Sequence, residues 1–348
     1  MNKKTLLVLL YSLYTFNIYS QINTDIIISD SLLIPTQIAV VEDWIFVKSE
    51  MSESGIKVYN AHSGSLEYEF APVGRGPAEY LAFSIQRGPG EATLEISDIA
   101  NRRNDLLDIE CLKRKPPQNL LFQCIDERQK NYASRQALII EDELLFNHGS
   151  EPDGVVYLSD ESGIITFLVT TPVEIINKYE RTIHQAMSQT GSVATNTERS
   201  HFAYFADSYD RAVFFKYENK EMITIKVQQP TFFPEFDIIQ LGDGTIMQEA
   251  KEYRAAFTFS SASDDHFYAL YSGKKYSDTQ EAAFNRTPFT RRIKQYKLNG
   301  DFVRDIYLDK EVFTLDVDRA NSTIYAIAVD SNDNYQVIKG KIPALHFE

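Results

Sequence analysis

The residues whose types and spacing could do chemistry are few. The stretch at residues 72–81, PVGRGPAEYL, sets Gly74, Arg75, Gly76 and Glu79 between apolar runs, a composition suggestive of a loop that cradles phosphate. A dinucleotide loop needs a third glycine where Glu79 stands, and the other phosphate loop needs a Lys-Ser/Thr pair that is absent. The stretch therefore reads as a corner, in which glycines allow positive φ and Pro77 stiffens the exit. Arg75 and Glu79 remain a candidate functional or locking pair on that corner. The 6 histidines (His62, His148, His184, His201, His266 and His346) form no pair at helical metal-ligand spacing. His148, Glu151 and Asp153 in NHGSEPDG read as a solvated turn. Residues 330–334, DSNDN, resemble half of a calcium loop without its glycine and distal Glu, and read as a hairpin turn. SDESGIITF at residues 159–167 resembles the aspartate box of sialidases, itself a structural turn. No G-x-S-x-G nucleophile elbow occurs. This inventory points away from an enzyme and implies no cofactor.

What must position these residues is a repeat. Strands of alternating pattern recur as IKVYNA at Ile56, LLDIEC at Leu106, VVYLSD at Val155, VFFKYE at Val213, IKQYKL at Ile293 and YQVIKG at Tyr335. Each is preceded by a further apolar run, and most are followed by a short turn and a partner strand; Ser63-Gly64 and Asn299-Gly300 are strong hairpin signals. Four strands per unit, recurring at steps of 42 to 80 residues, predicts an all-β, six-bladed β-propeller with four-stranded antiparallel blades. The last unit lacks a long fourth strand, and the early segment TDIIISD at residues 24–30 is spare. It is expected to complete the last blade and close the ring, which removes exposed sheet edges. Residues 21–348 are then a single domain. A helical insertion is expected near 175–189, and long insertions near 231–252, with a hairpin turning at residues 242–244, and near 275–290.

The chain has 348 residues and a formal charge of −14, which disfavours nucleic acid and anionic membranes as partners. Lys3 and Lys4 precede an apolar run at residues 5–16 that is too short to span a bilayer, and Ser20 is a small residue at a cleavage position. This reads as a signal peptide over residues 1–20; no cysteine follows the apolar run to carry a lipid anchor, and no other segment is long and apolar enough to span a membrane. The mature chain is expected to be periplasmic or secreted, and monomeric. Its 2 cysteines, Cys111 and Cys124, flank Pro116-Pro117; they either pair across a hairpin or remain two buried thiols.

The stretch VGRGPAEYLAF, followed by LEISD and LLDIE, resembles the exported six-bladed, TolB-like β-propeller proteins common in Bacteroidetes, many of which carry G-R-G-P-G-E-F/Y here. HFYALYSGKK at residues 266–275 is similar to a second recurring stretch of that group. The resemblance covers residues 25–342 and implies a propeller fold and an exported location. Many members are lipoproteins, and this chain lacks the lipobox cysteine. The resemblance implies no defined activity and transfers no catalytic residue.

In a propeller, ligands meet the mouth of the central channel, where inner strands begin. Gln37, Arg135 and Arg254, with Tyr253, precede predicted inner strands and are candidate ligand-binding residues for a small polar or anionic ligand, or arginines that only brace the ring. The leading expectation is a non-catalytic exported propeller that binds a partner protein or a small polar ligand on one face. Two alternatives are a propeller hydrolase or lactonase with a channel-bound divalent metal such as calcium, held for example by Glu42 or Asp98, and a structural component of an envelope assembly.

Overall fold

The computed structural model describes residues 20–344 apart from 30–31, 51–53, 77–78, 115–123, 130–135, 142–143, 152–153, 161, 171–190, 235, 242–243, 250–251, 279–287 and 320–321. Two short strands come first, β1 (Ser20–Ile22) and β2 (Asp25–Ile28). Four antiparallel four-stranded sheets follow in chain order. They are β3 (Pro35–Val41), β4 (Trp44–Ser49), β5 (Ser54–Asn60) and β6 (Leu66–Pro72); β7 (Phe83–Arg87), β8 (Thr93–Asp98), β9 (Arg103–Asp108) and β10 (Ile125–Gln129); β11 (Gln136–Ile139), β12 (Leu145–Glu151), β13 (Gly154–Asp160) and β14 (Gly163–Val169); and β15 (Ser192–Thr195), β16 (His201–Phe205), β17 (Ala212–Glu218) and β18 (Glu221–Gln228). A separate hairpin pairs β19 (Phe236–Leu241) with β20 (Gly244–Glu249), Leu241 opposite Gly244; residues 242–243 of the expected turn lie outside the described residues.

The remaining strands form one eight-stranded sheet: β21 (Phe257–Ala262), β22 (His266–Tyr271), β23 (Thr290–Lys297), β24 (Phe302–Asp318), β25 (Thr323–Val329) and β26 (Tyr335–Lys341), with β1 and β2. The long β24 serves two neighbours. Residues 302–307 pair with β23 and residues 314–318 with β25, while Val312 faces both Thr290 and Ala328. The spare N-terminal segment pairs antiparallel with β26 as β2, Asp25 opposite Lys339. β1 lies parallel to β24, Ser20 opposite Ile306, and Arg304 donates to the Ser20 hydroxyl at 3.1 Å.

The middle strands are buried on both faces because each sheet is covered by its neighbours. The core therefore sits between sheets. Val40, Ile45 and Val47 of the first sheet pack with Tyr325, Ile327 and Val337 of the last. Phe205 and Phe214 meet Phe257 and Tyr296 across the next junction, with ring centroids 5.2–5.8 Å apart. Aromatic pairs at such separations add to what area burial supplies.

One local expectation is corrected. Cys111 and Cys124 are bonded, with Cα atoms 5.4 Å apart, but not across a hairpin. Cys111 lies on a short helix, α1 (Ile109–Arg114), that leaves β9 where a strand would have continued. Asp108 caps it, accepting from the Cys111 N–H at 3.0 Å, and Lys113 of α1 forms ion pairs with Glu42 and Glu110. The LLDIEC pattern alternates like a strand, but the cap and the disulfide turn its last residues into a helix. The helix expected near 175–189 lies outside the described residues.

Candidate functional site

The innermost strands β3, β7, β11, β15, β21 and β24 run side by side, but their backbones do not hydrogen-bond to one another as a sheet. Side chains join them instead. Gln37 on β3 accepts from the Ile85 N–H of β7 at 2.8 Å. Gln86 on β7 donates to the Ala137 carbonyl of β11 at 2.6 Å. Gln136 on β11 accepts from the Val193 N–H of β15 at 3.3 Å. The hydroxyls of Ser192 and Ser260 link β15 to β21 at 2.8 Å, Ser261 donates to Asp316 of β24, and Asp316 accepts from the Val40 N–H of β3 at 2.7 Å. Each bond satisfies a main-chain or hydroxyl group that the open inner edge of a sheet would leave bare.

These strands enclose a central channel with unlike ends. At their N-terminal ends it widens into a cavity of about 700 Å³, whose wall includes Gln37, Lys48, Glu50, Gln136, His148 and Asp207. Lys48 stands 3.8 Å from Glu50 and 5.1 Å from the centre of the Phe83 ring. The hydroxyls of Thr36, Ser49, Ser84 and Thr258 are buried in the same wall without a hydrogen-bond partner among the described residues. Val73, Leu81 and Ile99 also line it and are 64%, 37% and 38% exposed, which makes an apolar rim beside a polar floor.

At the C-terminal ends of the same strands the channel narrows to about 40 Å³, walled in part by Arg87, Asp316 and Arg319. Arg87 pairs with Asp316 at 3.2 Å, and Arg199 with Glu95 at 3.0 Å. Both members of the second pair are buried. Burial pushes the Glu95 carboxyl up and the Arg199 guanidinium down; the pair's mutual attraction opposes both shifts, and the Ile139 N–H and Gln86 donating to Glu95 further oppose that of the carboxyl. Burial, with the nearby Arg87 and Arg199 charges, pushes Arg319 down to about 9.

The residues singled out from sequence fall in several places. Gln37 lines the wide cavity. Tyr253 and Arg254 do not: the Tyr253 carbonyl accepts from Tyr276, and Arg254 stands 5.2 Å from the Phe232 ring centre and bridges to Lys275 by its main chain. Arg135 lies outside the described residues. Arg75 is exposed, and Glu79 is spent on its own corner, accepting from the Gly76 N–H at 2.7 Å. A Cβ on Gly74 would meet that carboxylate, so the glycine leaves room for the Glu79 side chain to fold back over the corner. The lock on this corner is Arg103. Its guanidinium lies 4.5 Å from the Tyr80 ring centre, donates to the carbonyls of Gly76 and Glu79, and pairs with Asp105 at 3.2 Å; Tyr80 donates to Asp105 at 2.6 Å. Glu42 is held by Lys113, while Asp98 accepts from the N–H groups of Leu81, Ala82, Ala100 and Asn101. Among the described residues no three His, Cys, Asp or Glu are grouped to hold a metal ion. Asp330 makes the hairpin turn between β25 and β26, accepting from the Asn332 and Asn334 N–H groups, which hold its carboxyl low.

Successive four-stranded antiparallel sheets, packed face to face with inner strands around a central channel, are the architecture of a β-propeller. No protein-family model matches the chain, and no curated protein does. Among solved structures it is similar to a "putative exported protein" from Bacteroides fragilis, at 12% identity, a TM-score of 0.54, and coverage of 94% of this chain and 99% of that one. It also matches the β-propeller domain of Cps50 (Swd1) from Myceliophteria thermophila at 8% identity and a TM-score of 0.45, over 92% and 100% of the two chains, and U3-55K at 10% and 0.48, over 92% and 98%. No helix among the described residues is long and apolar enough to cross a membrane.

Proposed function

We propose that this chain is an exported, TolB-like, six-bladed propeller that binds a segment of a partner protein at the wide mouth of its channel and performs no catalysis. The blade count is supported by the division of β24 between two neighbours, which splits the eight-stranded sheet into two blades, and by the side-chain circuit that leaves β3 through Gln37 and returns to it through Asp316. Closure of the ring by the N-terminal segment is supported by the pairing of β2 with β26. The exported location rests on the leader-like start and on the resemblance carried by GRGPAEY and HFYALYSGKK.

The observation that carries the binding reading is the apolar rim of Val73, Leu81 and Ile99 beside a cavity of about 700 Å³. Exposed apolar residues gathered at a concave mouth with polar groups inside suit a polypeptide that rests on the rim and sends side chains into the cavity. The test is parallel purification from the native envelope of the wild type and of a Leu81→Asp/Ile99→Asp variant. A partner retained by the wild type and lost from the folded variant is the expected result; identical co-purifying proteins in both would overturn the reading. A small polar ligand in the same cavity is the second reading, favoured by the four buried hydroxyls without a partner among the described residues. A propeller hydrolase or lactonase remains the rival outside binding. Turnover of a lactone, glycan or phosphate substrate that stops on changing a cavity residue would establish it, and so replace the non-catalytic assignment.

A further inference from the structure

The narrow end of the channel gathers more guanidiniums than buried carboxylates. Three guanidiniums, those of Arg87, Arg199 and Arg319, come together there. Two buried carboxylates answer them: Asp316 pairs with Arg87 at 3.2 Å and Glu95 with Arg199 at 3.0 Å. Among the described residues Arg319 donates to the Gly90 carbonyl at 2.9 Å and is attracted by Asp316, which Arg87 already engages, and by Asp264, an exposed residue engaged by the Thr197 hydroxyl. In this cluster guanidiniums thus outnumber buried carboxylates three to two, inside a protein whose net charge is −14.

The hydrogen-bond accounting agrees. Nη1 of Arg87, Nε and Nη1 of Arg199 and Nε of Arg319 are all buried without a partner among the described residues. The Arg199 side chain is 3% exposed and that of Arg87 is 9% exposed. A guanidinium does not shed its proton at neutral pH, so this stress is not relieved by titration. A space of about 40 Å³ adjoins Arg87 and Arg319. That is enough for a few waters or one monatomic anion, and too little for a sugar acid or a phosphate ester.

We propose that Arg87 and Arg319, backed by Arg199, hold one small inorganic anion of chloride size at the narrow end of the channel. The site is separate from the wide mouth and independent of what binds there. The anion supplies the missing negative charge and accepts from donors that the protein leaves open. Uncompensated charge inside a protein is costly, and a mobile counter-ion is the simplest compensation.

The test uses the full mature chain. Thermal unfolding is followed in sodium bromide, sodium chloride and sodium gluconate at equal ionic strength, and crystals are soaked in bromide for anomalous diffraction. The halides are expected to raise the midpoint over gluconate by about 2 °C at tenfold saturation. An anomalous peak is expected between Arg87 and Arg319. The halide effect should vanish in Arg319→Gln, which removes the surplus charge, and persist in Arg319→Lys, which keeps it. Equal midpoints in halide and gluconate would overturn the proposal. So would an equal halide response in wild type and Arg319→Gln, because that is a general salt effect. Should Arg319→Gln fail to fold, the bromide map decides: a peak at the arginines supports the site, and its absence there overturns it.

Discussion

The two ends of the channel are made by the same strands, and they differ because of what stands first and last on each strand. At the wide end the inner strands begin with short or neutral polar residues: Thr36 and Gln37, Ser84, Gln136, Ser192 and Thr258. These reach the neighbouring strand and leave the middle open. At the narrow end the strands run out into Arg87, Asp316 and Arg319, with Glu95 and Arg199 behind them, and long charged side chains fill the space. The contrast teaches that a propeller need not be symmetric in role. One end is open, and the other is held shut by ion pairs.

The sharpest way to break the comparison is to remove one carboxylate at the stapled end. Glu95→Ala leaves the Arg199 guanidinium buried without its ion pair, a loss of about 3–5 kcal/mol by urea unfolding. A loss below about 1 kcal/mol would mean that the pair staples nothing. The disulfide joining α1 to the start of β10 comes next. Closing a loop of 13 residues is worth about 3 kcal/mol, so Cys111→Ser/Cys124→Ser should unfold at correspondingly lower denaturant. At the wide end the matching change is smaller. Gln37→Ala leaves the Ile85 N–H without its acceptor and should cost about 1–3 kcal/mol, and if it costs more than Glu95→Ala the assignment of rigid and open ends is reversed.

Much of this frame was legible from residue patterns. The alternating runs beginning near Ile56, Leu106, Val155, Val213, Ile293 and Tyr335 are the third strands of their units, because period-2 alternation with turn residues at the ends has few other readings. The spare segment that became β2 was legible for the same reason. The helix α1 was not, since six residues carry too little periodicity to override a strand-like pattern. The arginine cluster was also missed, although arginines were expected to converge on the channel. Arg135 and Arg254 stand before inner strands, whereas the arginines that converge, Arg87 and Arg319, come at or after strand ends. The signal was present in FSIQR, NTER and DVDR, each an arginine closing an inner strand or its turn. Residues so far apart in sequence meet only through blade packing, which no local pattern reports.

The rim should behave as neither end's framework does. Val73, Leu81 and Ile99 are exposed, so Leu81→Asp/Ile99→Asp is expected to change stability by no more than about 0.5 kcal/mol while weakening partner binding at least tenfold. Loss of stability without loss of binding would assign the rim to the scaffold and remove the argument that the wide end is the one that is entered.

The smallest effect lies on the stapled side, at the turn carrying His266, whose ring shares a surface hollow with Arg304 and Arg319. Burial lowers the His266 pKa first, Arg304 and Lys297 lower it further, and Asp265 opposes them. With the folded value below the unfolded one, the unfolded chain binds more protons as pH falls through the ordinary histidine range. The stabilising contribution of neutral His266 is therefore present above about pH 6.5 and is lost as pH falls through that value toward the folded pKa. Half of the ring's surroundings are solvent, so the loss should stay below about 0.5 kcal/mol between pH 7.5 and 5.5. His266→Asn should flatten that part of the stability profile, with His201, also lowered mainly by burial, accounting for what slope remains. A steeper profile in the variant would mean that protonated His266 is favoured beside the arginines. That outcome requires negative charge at the narrow end beyond Glu95, Asp316 and the nearby Asp264 and Asp265, and it would locate the counter-charge on the outer turn rather than inside the channel.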